Sequence, residues 1–402
     1  MTPHVYRLLQ GFRADRPIEQ AESIPASWYT DTELANWERD TVFARHWLVA
    51  GRSDQVAKAG AYFTAEIAGR PVVVVRGEDG VLRAFYNVCR HRAARVAVGE
   101  QGVADRFRCR YHGWTYDLAG QLRGVPEFAG VENFCREENG LVPIQVAEWP
   151  PLVFVHFGQP HVSLQEYLAP MPERLRIFHL EKLRFVARRV YDLACNWKVF
   201  VDNYLDGGYH VPTLHRSLAP LLDYQHYVTE TFAYCSLQSS PMRQPDAQRE
   251  DTSAAAVRKG ELAAYWWLYP NFMLNAYEGY MDTNLVLPLS VERCRVIFDF
   301  YFAEPQDPSQ AERWYAESIA VADRVQQEDA EICEEVQRGL ASGIYQTGRY
   351  SVRRENGIYH FHRLLAADLQ REPASAPVSA TGRVSSGEIN QPDSATESAS
   401  KR

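Results

Sequence analysis

No stretch of the 402-residue chain approaches the roughly 20 consecutive apolar residues needed to span a bilayer. Its first ten residues, Met1-Thr-Pro-His-Val-Tyr-Arg-Leu-Leu-Gln10, lack the continuous apolar core of a signal peptide. Basic runs and patches are missing as well. With a formal net charge of −8, neither nucleic acid nor a membrane is an expected partner. The seven cysteines are odd in number and five of them are scattered, which argues against a disulfide framework and for a reduced, cytoplasmic protein. What remains is an ordinary globular composition, 46% hydrophobic and 23% charged, so a packed core is affordable throughout. At about 150 residues per domain, the length allows two core-bearing units.

Two of the cysteines are not scattered at all. Cys89-Arg-His91 and Cys109-Arg-Tyr-His112 are mixed Cys/His pairs separated by residues 92–108. Together they offer two thiolates and two imidazoles, the ligand set of a Rieske [2Fe–2S] centre, in which two Cys hold one iron and two His the other. A structural zinc site is the competing reading. Zinc ligands usually pair like with like, as Cys-x₂₋₄-Cys and His-x₃₋₅-His, and here each pair is mixed. The other five cysteines, Cys135, Cys195, Cys235, Cys294 and Cys333, read as reduced thiols in the core or at the surface.

Along the chain, Thr30-Asp-Thr-Glu33 has the form of a capping box ahead of a helix carrying Leu34, Trp37 and Val42. Short strands with turn signals follow from Trp47 to Phe157. They include Val72–Val75, a Gly77–Gly80 hairpin turn, Val81–Tyr86, and a strand–turn–strand over Thr115–Leu122. Beyond His161 the pattern is mixed. Helices are expected over 163–178, 196–210 and 309–340, with strands near 184–193, 226–237, 262–275, 281–289 and 291–302. Gln244–Gly260 reads as a polar loop. Residues 371–402, rich in Ser, Ala, Pro and Glu, read as a disordered tail. The expected division is 1–44, an N-terminal helical segment packed on the second domain; 45–160, an all-β domain with the metal loops; 161–370, a catalytic domain; and the tail.

A second candidate metal site lies in Asn203-Tyr-Leu-Asp206-Gly-Gly-Tyr-His210-Val-Pro-Thr-Leu-His215. Histidines five apart sit about 140° from each other on a regular helix and do not share a face. Pro212 would break such a helix in any case. A helix ending at His210 followed by a turn could aim both rings at one point, with Asp206 one helical turn before His210. Two histidines and a carboxylate make the facial triad of a mononuclear non-haem Fe(II) oxygenase. On the 309–340 helix, Asp329 falls on the stripe formed by Val325, Ile332 and Val336, whereas Glu328, Glu331, Glu334 and Glu335 fall off it. A carboxylate on a buried face must be paired or bind metal, so Asp329 is the candidate third ligand, with a buried salt bridge as the alternative.

These motifs resemble those of Rieske non-haem iron oxygenase α subunits over about residues 28–370, and within that family are most similar to plant choline monooxygenases. The resemblance extends to Asp202–Pro212, Tyr269-Pro-Asn-Phe-Met273, Met281–Leu289 and Glu328–Leu340. It implies an α+β protein, with an all-β Rieske domain and a helix-grip (START-like) catalytic domain of antiparallel sheet and long C-terminal helix. It also implies a homotrimer fed by a ferredoxin or a flavin/[2Fe–2S] reductase. Asp206 would bridge electrons from His112 of a neighbouring subunit, with Asn203 beside it at the catalytic centre. Two positions depart from the pattern. The bridging acid stands four residues before the first iron histidine rather than three, and Ala93 replaces a usual glycine.

The activity so implied is O₂-dependent hydroxylation of choline or a related quaternary ammonium compound. Such a cation is usually held in an aromatic cage. Tyr265, Trp267, Tyr277, Tyr280 and Phe298 are the candidates, and ordinary sheet core is the alternative for each. Two other functions compete. One is hydroxylation or demethylation of an aromatic acid; the other is a non-catalytic Rieske electron carrier.

Overall fold

The computed structural model describes residues 1–243, 258–305 and 307–372. Most of the expected Gln244–Gly260 loop and nearly all of the expected tail lie outside the described residues. The first large unit is a seven-stranded antiparallel sheet with a three-stranded sheet beside it. Val72, Val73, Val74 and Val75 are all fully buried in the strand Arg70–Arg76. Their uninterrupted run has a physical reason. Val72 and Val74 face the main core, while Val73 and Val75 face a separate core of Cys89, Cys109, Trp114 and Tyr116 beneath the metal loops. Gly77–Gly80 then turns the chain into Leu82–Tyr86, which runs directly into the first loop. The second loop joins Arg106–Arg108 to Thr115–Asp117 in the three-stranded sheet.

The second unit is another seven-stranded antiparallel sheet. Its order is Arg184–Leu193, Arg293–Phe302, Tyr280–Ser290, Phe272–Tyr277, Leu262–Leu268, Cys235–Pro241 and Val228–Thr231. Three expectations need correcting. The strand read over 262–275 is two strands, because Pro270 cannot donate to a ladder and the chain turns there. The strand read over 226–237 also splits, at Phe232 to Tyr234. The helix read over 163–178 breaks into Leu164–Leu168, Met171–Arg174 and a 3₁₀ turn, with Pro170 and Pro172 interrupting its hydrogen bonds. One face of the sheet packs under Leu164–Leu183 and residues Trp47 and Phe154 of the first unit. The other face is covered by the helices Trp197–Tyr204, Ala311–Ala341 and Asn356–Leu369. The last of these was not expected from the sequence.

The N-terminal residues are tied onto this helical layer. Asp31, rather than Thr30, caps the helix Thr32–Glu38 by accepting from the Leu34 N–H at 2.8 Å. Glu38 at its end is buried against Lys198 Nζ at 2.6 Å and Trp197 Nε1 at 2.9 Å. Both charges are almost fully out of water. Glu38→Ala would strand the Lys198 ammonium, and it is expected to lower stability by about 3–5 kcal/mol in chemical denaturation.

Candidate metal centres and substrate cavity

The two Cys/His loops are built alike. In the first, Cys89 N–H donates to Ala94 O and Ala93 N–H to Cys89 O; in the second, Cys109 N–H donates to Trp114 O and Gly113 N–H to Cys109 O. Each closes on a left-handed residue, Ala93 at φ 59° and Gly113 at φ 73°. The alanine therefore occupies a conformation that L-residues enter at a cost of roughly 1–2 kcal/mol. Ala93→Gly is expected to stabilise the first loop by about 1 kcal/mol, read as slower loss of the cluster's visible absorption in denaturant.

Cys89 and Cys109 are buried, and Cys89 Sγ lies 3.3 Å from the Tyr116 hydroxyl, which can donate to a thiolate. His91 and His112 stand with ring centroids 4.5 Å apart, His91 stacked flat on Trp114 at 4.9 Å. His91 Nδ1 is buried without a hydrogen-bond partner among the described residues, as a metal-ligating nitrogen would be. These four donors do not gather around one point as zinc ligands would. Among the described residues the group within reach of a single ion is a different one, His210, His215 and Asp329. Donors split between two thiols and two imidazoles fit a cluster that has two irons to hold.

The helix Trp197–Tyr204 starts at an Asn196 cap and ends well before His210, so the expected helix over 196–210 is too long. Gly207 and Gly208, both at φ 69°, then swing the chain back. A Cβ on Gly207 would lie 2.1 Å from Arg354 O, so only glycine fits. A single helical turn, Val211–Leu214, follows, with His210 immediately before it and His215 immediately after. Its geometry brings the two Nε2 atoms to 3.0 Å. Asp329, midway along Ala311–Ala341, places Oδ1 3.2 Å from His215 Nε2 and 3.8 Å from His210 Nε2. Asn203 Nδ2 donates to that same oxygen at 2.7 Å and so orients it.

Hydrogen bonding on the far side of each ring tests whether a metal fits here. Asp206 Oδ2 lies 2.6 Å from His210 Nδ1, and Glu328 Oε2 lies 2.6 Å from His215 Nδ1. An ionised carboxylate only accepts, so each Nδ1 carries a proton and each Nε2 is left as the nitrogen that can ligate a metal. Two Nε2 atoms and a carboxylate oxygen then converge on one point, and in the ligating form of both rings all three present lone pairs. A cation resolves that repulsion, and the donor types suit Fe(II). Two expectations change. Glu328 does not point away but buttresses His215. Asp206, placed by a turn rather than a helix, is itself the His210 buttress.

A cavity of about 130 Å³ adjoins these ligands. Of the expected cage, Tyr265, Tyr277 and Phe298 line it. Trp267 does not. It is fully buried, with Nε1 donating to Pro270 O and its ring packed on Tyr269 and Phe361. Tyr280 stands behind the wall, its hydroxyl donating to Asp282 Oδ2 at 2.8 Å. Phe200, Tyr204, Tyr227, Arg258, Asp282 and Gln326 are among the other lining residues and were not expected. Asp282 was open to detection, since Tyr280, Asp282 and Asn284 put polar groups at alternate, same-face positions of the buried strand Tyr280–Ser290. Burial pushes its carboxyl above the usual range, while Arg258, Tyr280, Asn275 and Asn284 draw it back. The rings are fixed: Tyr265 and Tyr277 hydroxyls meet at 2.8 Å, and Tyr204 donates to Asn275 Oδ1 at 2.8 Å.

Residues 46–135 match the Rieske [2Fe–2S] domain model, and residues 180–371 match the catalytic domain of ring-hydroxylating α subunits. Choline monooxygenase from Arabidopsis thaliana is 39% identical across 91% of this chain and 87% of its own length. The oxygenase subunit of carnitine monooxygenase from Escherichia coli K12 is 32% identical, over 87% of this chain and 94% of its own. A crystal structure of a quaternary ammonium Rieske monooxygenase with an inhibitor superposes with a TM-score of 0.77 at 29% identity, over 87% of this chain and 96% of that one. No helix among the described residues is long and apolar enough to cross a membrane. Identity of this order along nine-tenths of the chain, added to donor sets that fit both metals, settles the lineage. The chain belongs to the Rieske non-haem iron monooxygenases, and its cofactors are a [2Fe–2S] cluster and a mononuclear iron.

Proposed function

We propose that this enzyme hydroxylates choline or a related small quaternary ammonium compound. The observation that carries the reading is a cavity beside His210, His215 and Asp329 that combines fixed tyrosine and phenylalanine rings with the buried carboxylate of Asp282. A quaternary ammonium has no N–H to donate, so it is recognised by ring faces and by negative charge rather than by hydrogen bonds. The relatives named for choline and carnitine oxidation support the same substrate class.

Cys89, Cys109, His91 and His112 would hold the cluster, and His210, His215 and Asp329 the iron; together these groups supply reductive O₂ activation for attack on a C–H bond. Asp206 and Glu328 keep the two imidazoles in the ligating tautomer, and Asn203 aims the Asp329 oxygen. Buried rings around the cavity exclude water from the reacting carbon. Electrons come from a partner, which we take to be a ferredoxin or a flavin/[2Fe–2S] reductase. We take the assembly to be a homotrimer in which His112 of one subunit meets the groove holding Asp206 of the next. His112 and Tyr111 are exposed at the loop tip, and Asp206 lines a surface groove with Asp202 and Glu355, which suits such a junction. The seven free cysteines fit a reducing compartment, and we place the protein in the cytoplasm.

Calorimetry on the iron-loaded enzyme tests the cage. A trimethylammonium alcohol should bind at least about tenfold more tightly than its neutral tert-butyl isostere, the range expected of a desolvated cation–π site. Equal binding would remove the cage.

A further inference from the structure

Two buried side chains in the cavity wall carry polar atoms with no partner among the described residues. Arg258 is 7% exposed, with its guanidinium carbon 4.0 Å from the Tyr280 ring centroid and 5.2 Å from that of Tyr277. Its Nη2 donates to the Tyr280 hydroxyl at 3.1 Å, whereas Nη1 has no acceptor among the described residues. Gln326, 2% exposed and one helical turn before Asp329, has neither Oε1 nor Nε2 bonded. Both residues line the cavity that Asp329 lines.

A buried guanidinium is costly unless its donors are paired, directly or with an anion close by. Asp282 relieves it only at second hand, through the Tyr280 hydroxyl that Arg258 and Asp282 share. The Asp282 oxygens are already occupied by Tyr280, Asn275 and Asn284. Choline would add a cation to a space that already holds the Arg258–Asp282 pair, and would offer Nη1 only a neutral hydroxyl oxygen. A carboxylate on the substrate supplies the missing acceptor, and a charge-assisted bond to Arg is the strong kind.

We propose that the substrate is a zwitterion, a quaternary ammonium carboxylate whose anion pairs with Arg258 while its cationic head lies against the tyrosine rings. This rests on the quaternary ammonium reading above and narrows it. Arg258 is then a specificity-determining residue, and Gln326 offers a donor and an acceptor to the same ligand.

Calorimetry on the iron-loaded enzyme compares choline with two trimethylammonium carboxylates, glycine betaine and carnitine. At least one carboxylate is expected to bind more tightly than choline by on the order of 100-fold, the worth of one charged hydrogen bond in a dry site. Arg258→Gln is expected to bring that ratio close to one, and Arg258→Lys to restore part of it. The ratio is read within each variant, so a general loss of folded protein does not mimic the effect. Choline matching both carboxylates in the unaltered enzyme would overturn the assignment, and so would a ratio that survives Arg258→Gln. Binding of none of the three would remove the quaternary ammonium reading, and this assignment with it.

Discussion

Asp329→Ala is expected to lower the iron content from about three atoms per chain to about two and to abolish substrate-dependent O₂ uptake, leaving the cluster's visible spectrum unchanged. The reason is the donor count. Asp329 Oδ1 is the single carboxylate oxygen facing both Nε2 atoms. Without it two imidazoles remain, too few to hold Fe(II) against water and buffer. The cluster loops are packed in a separate core with no part in this contact, so their absorption should persist. Iron analysis alongside the visible spectrum checks both halves. Retention of about three irons with full activity would mean that Asp329 is only a salt-bridge partner.

Asp206→Asn is expected to keep most of the mononuclear iron while slowing turnover by up to about 100-fold, with the cluster still reduced at the normal rate. Alanine at this position is a poorer probe than asparagine. Asp206 accepts from both His210 Nδ1 and the His210 backbone N–H, so its removal would loosen a ligand as well as a bridge. Partners of this kind typically matter 10–100-fold to affinity or activity. Asparagine preserves an acceptor oxygen but removes the negative charge that would face His112 of a neighbouring subunit. Single-turnover kinetics from a pre-reduced cluster separates the two roles. Normal cluster oxidation in the variant would remove Asp206 from the electron path.

The metal donors were legible because coordination chemistry demands particular residue types at short spacings, and both sets lie in compact motifs. Asp329 was legible for a reason only partly right. Its helix buries Ile319, Ala322, Gln326, Cys333, Gln337 and Leu340, while Ile332 and Val336 are 39% and 45% exposed. Apolar spacing alone misplaced the stripe, because polar Gln337 belongs to it, accepting from the Asn196 N–H. Glu328 escaped because a residue about 100° away on a helix seems to face elsewhere, yet its long side chain reaches His215. Trp267 was misassigned because strand alternation gives the face but not the depth. It shares a face with Tyr265 but lies under Asn356–Leu369, a helix that the sequence reading lacked. Tyr227 and Arg258 arrive from segments whose local pattern says nothing about which cavity they will line.

In the proposed function, electrons gathered at Cys89, His91, Cys109 and His112 are spent at His210, His215 and Asp329 on a quaternary ammonium substrate. The most direct test is reconstitution with a surrogate reductase under ¹⁸O₂, screening choline, trimethylammonium carboxylates and aromatic acids by mass spectrometry. The expected result is O₂ uptake that depends on a quaternary amine, with one labelled oxygen atom in its hydroxylated product. Labelled phenol or diol from an aromatic acid, with quaternary amines left unchanged, would contradict it.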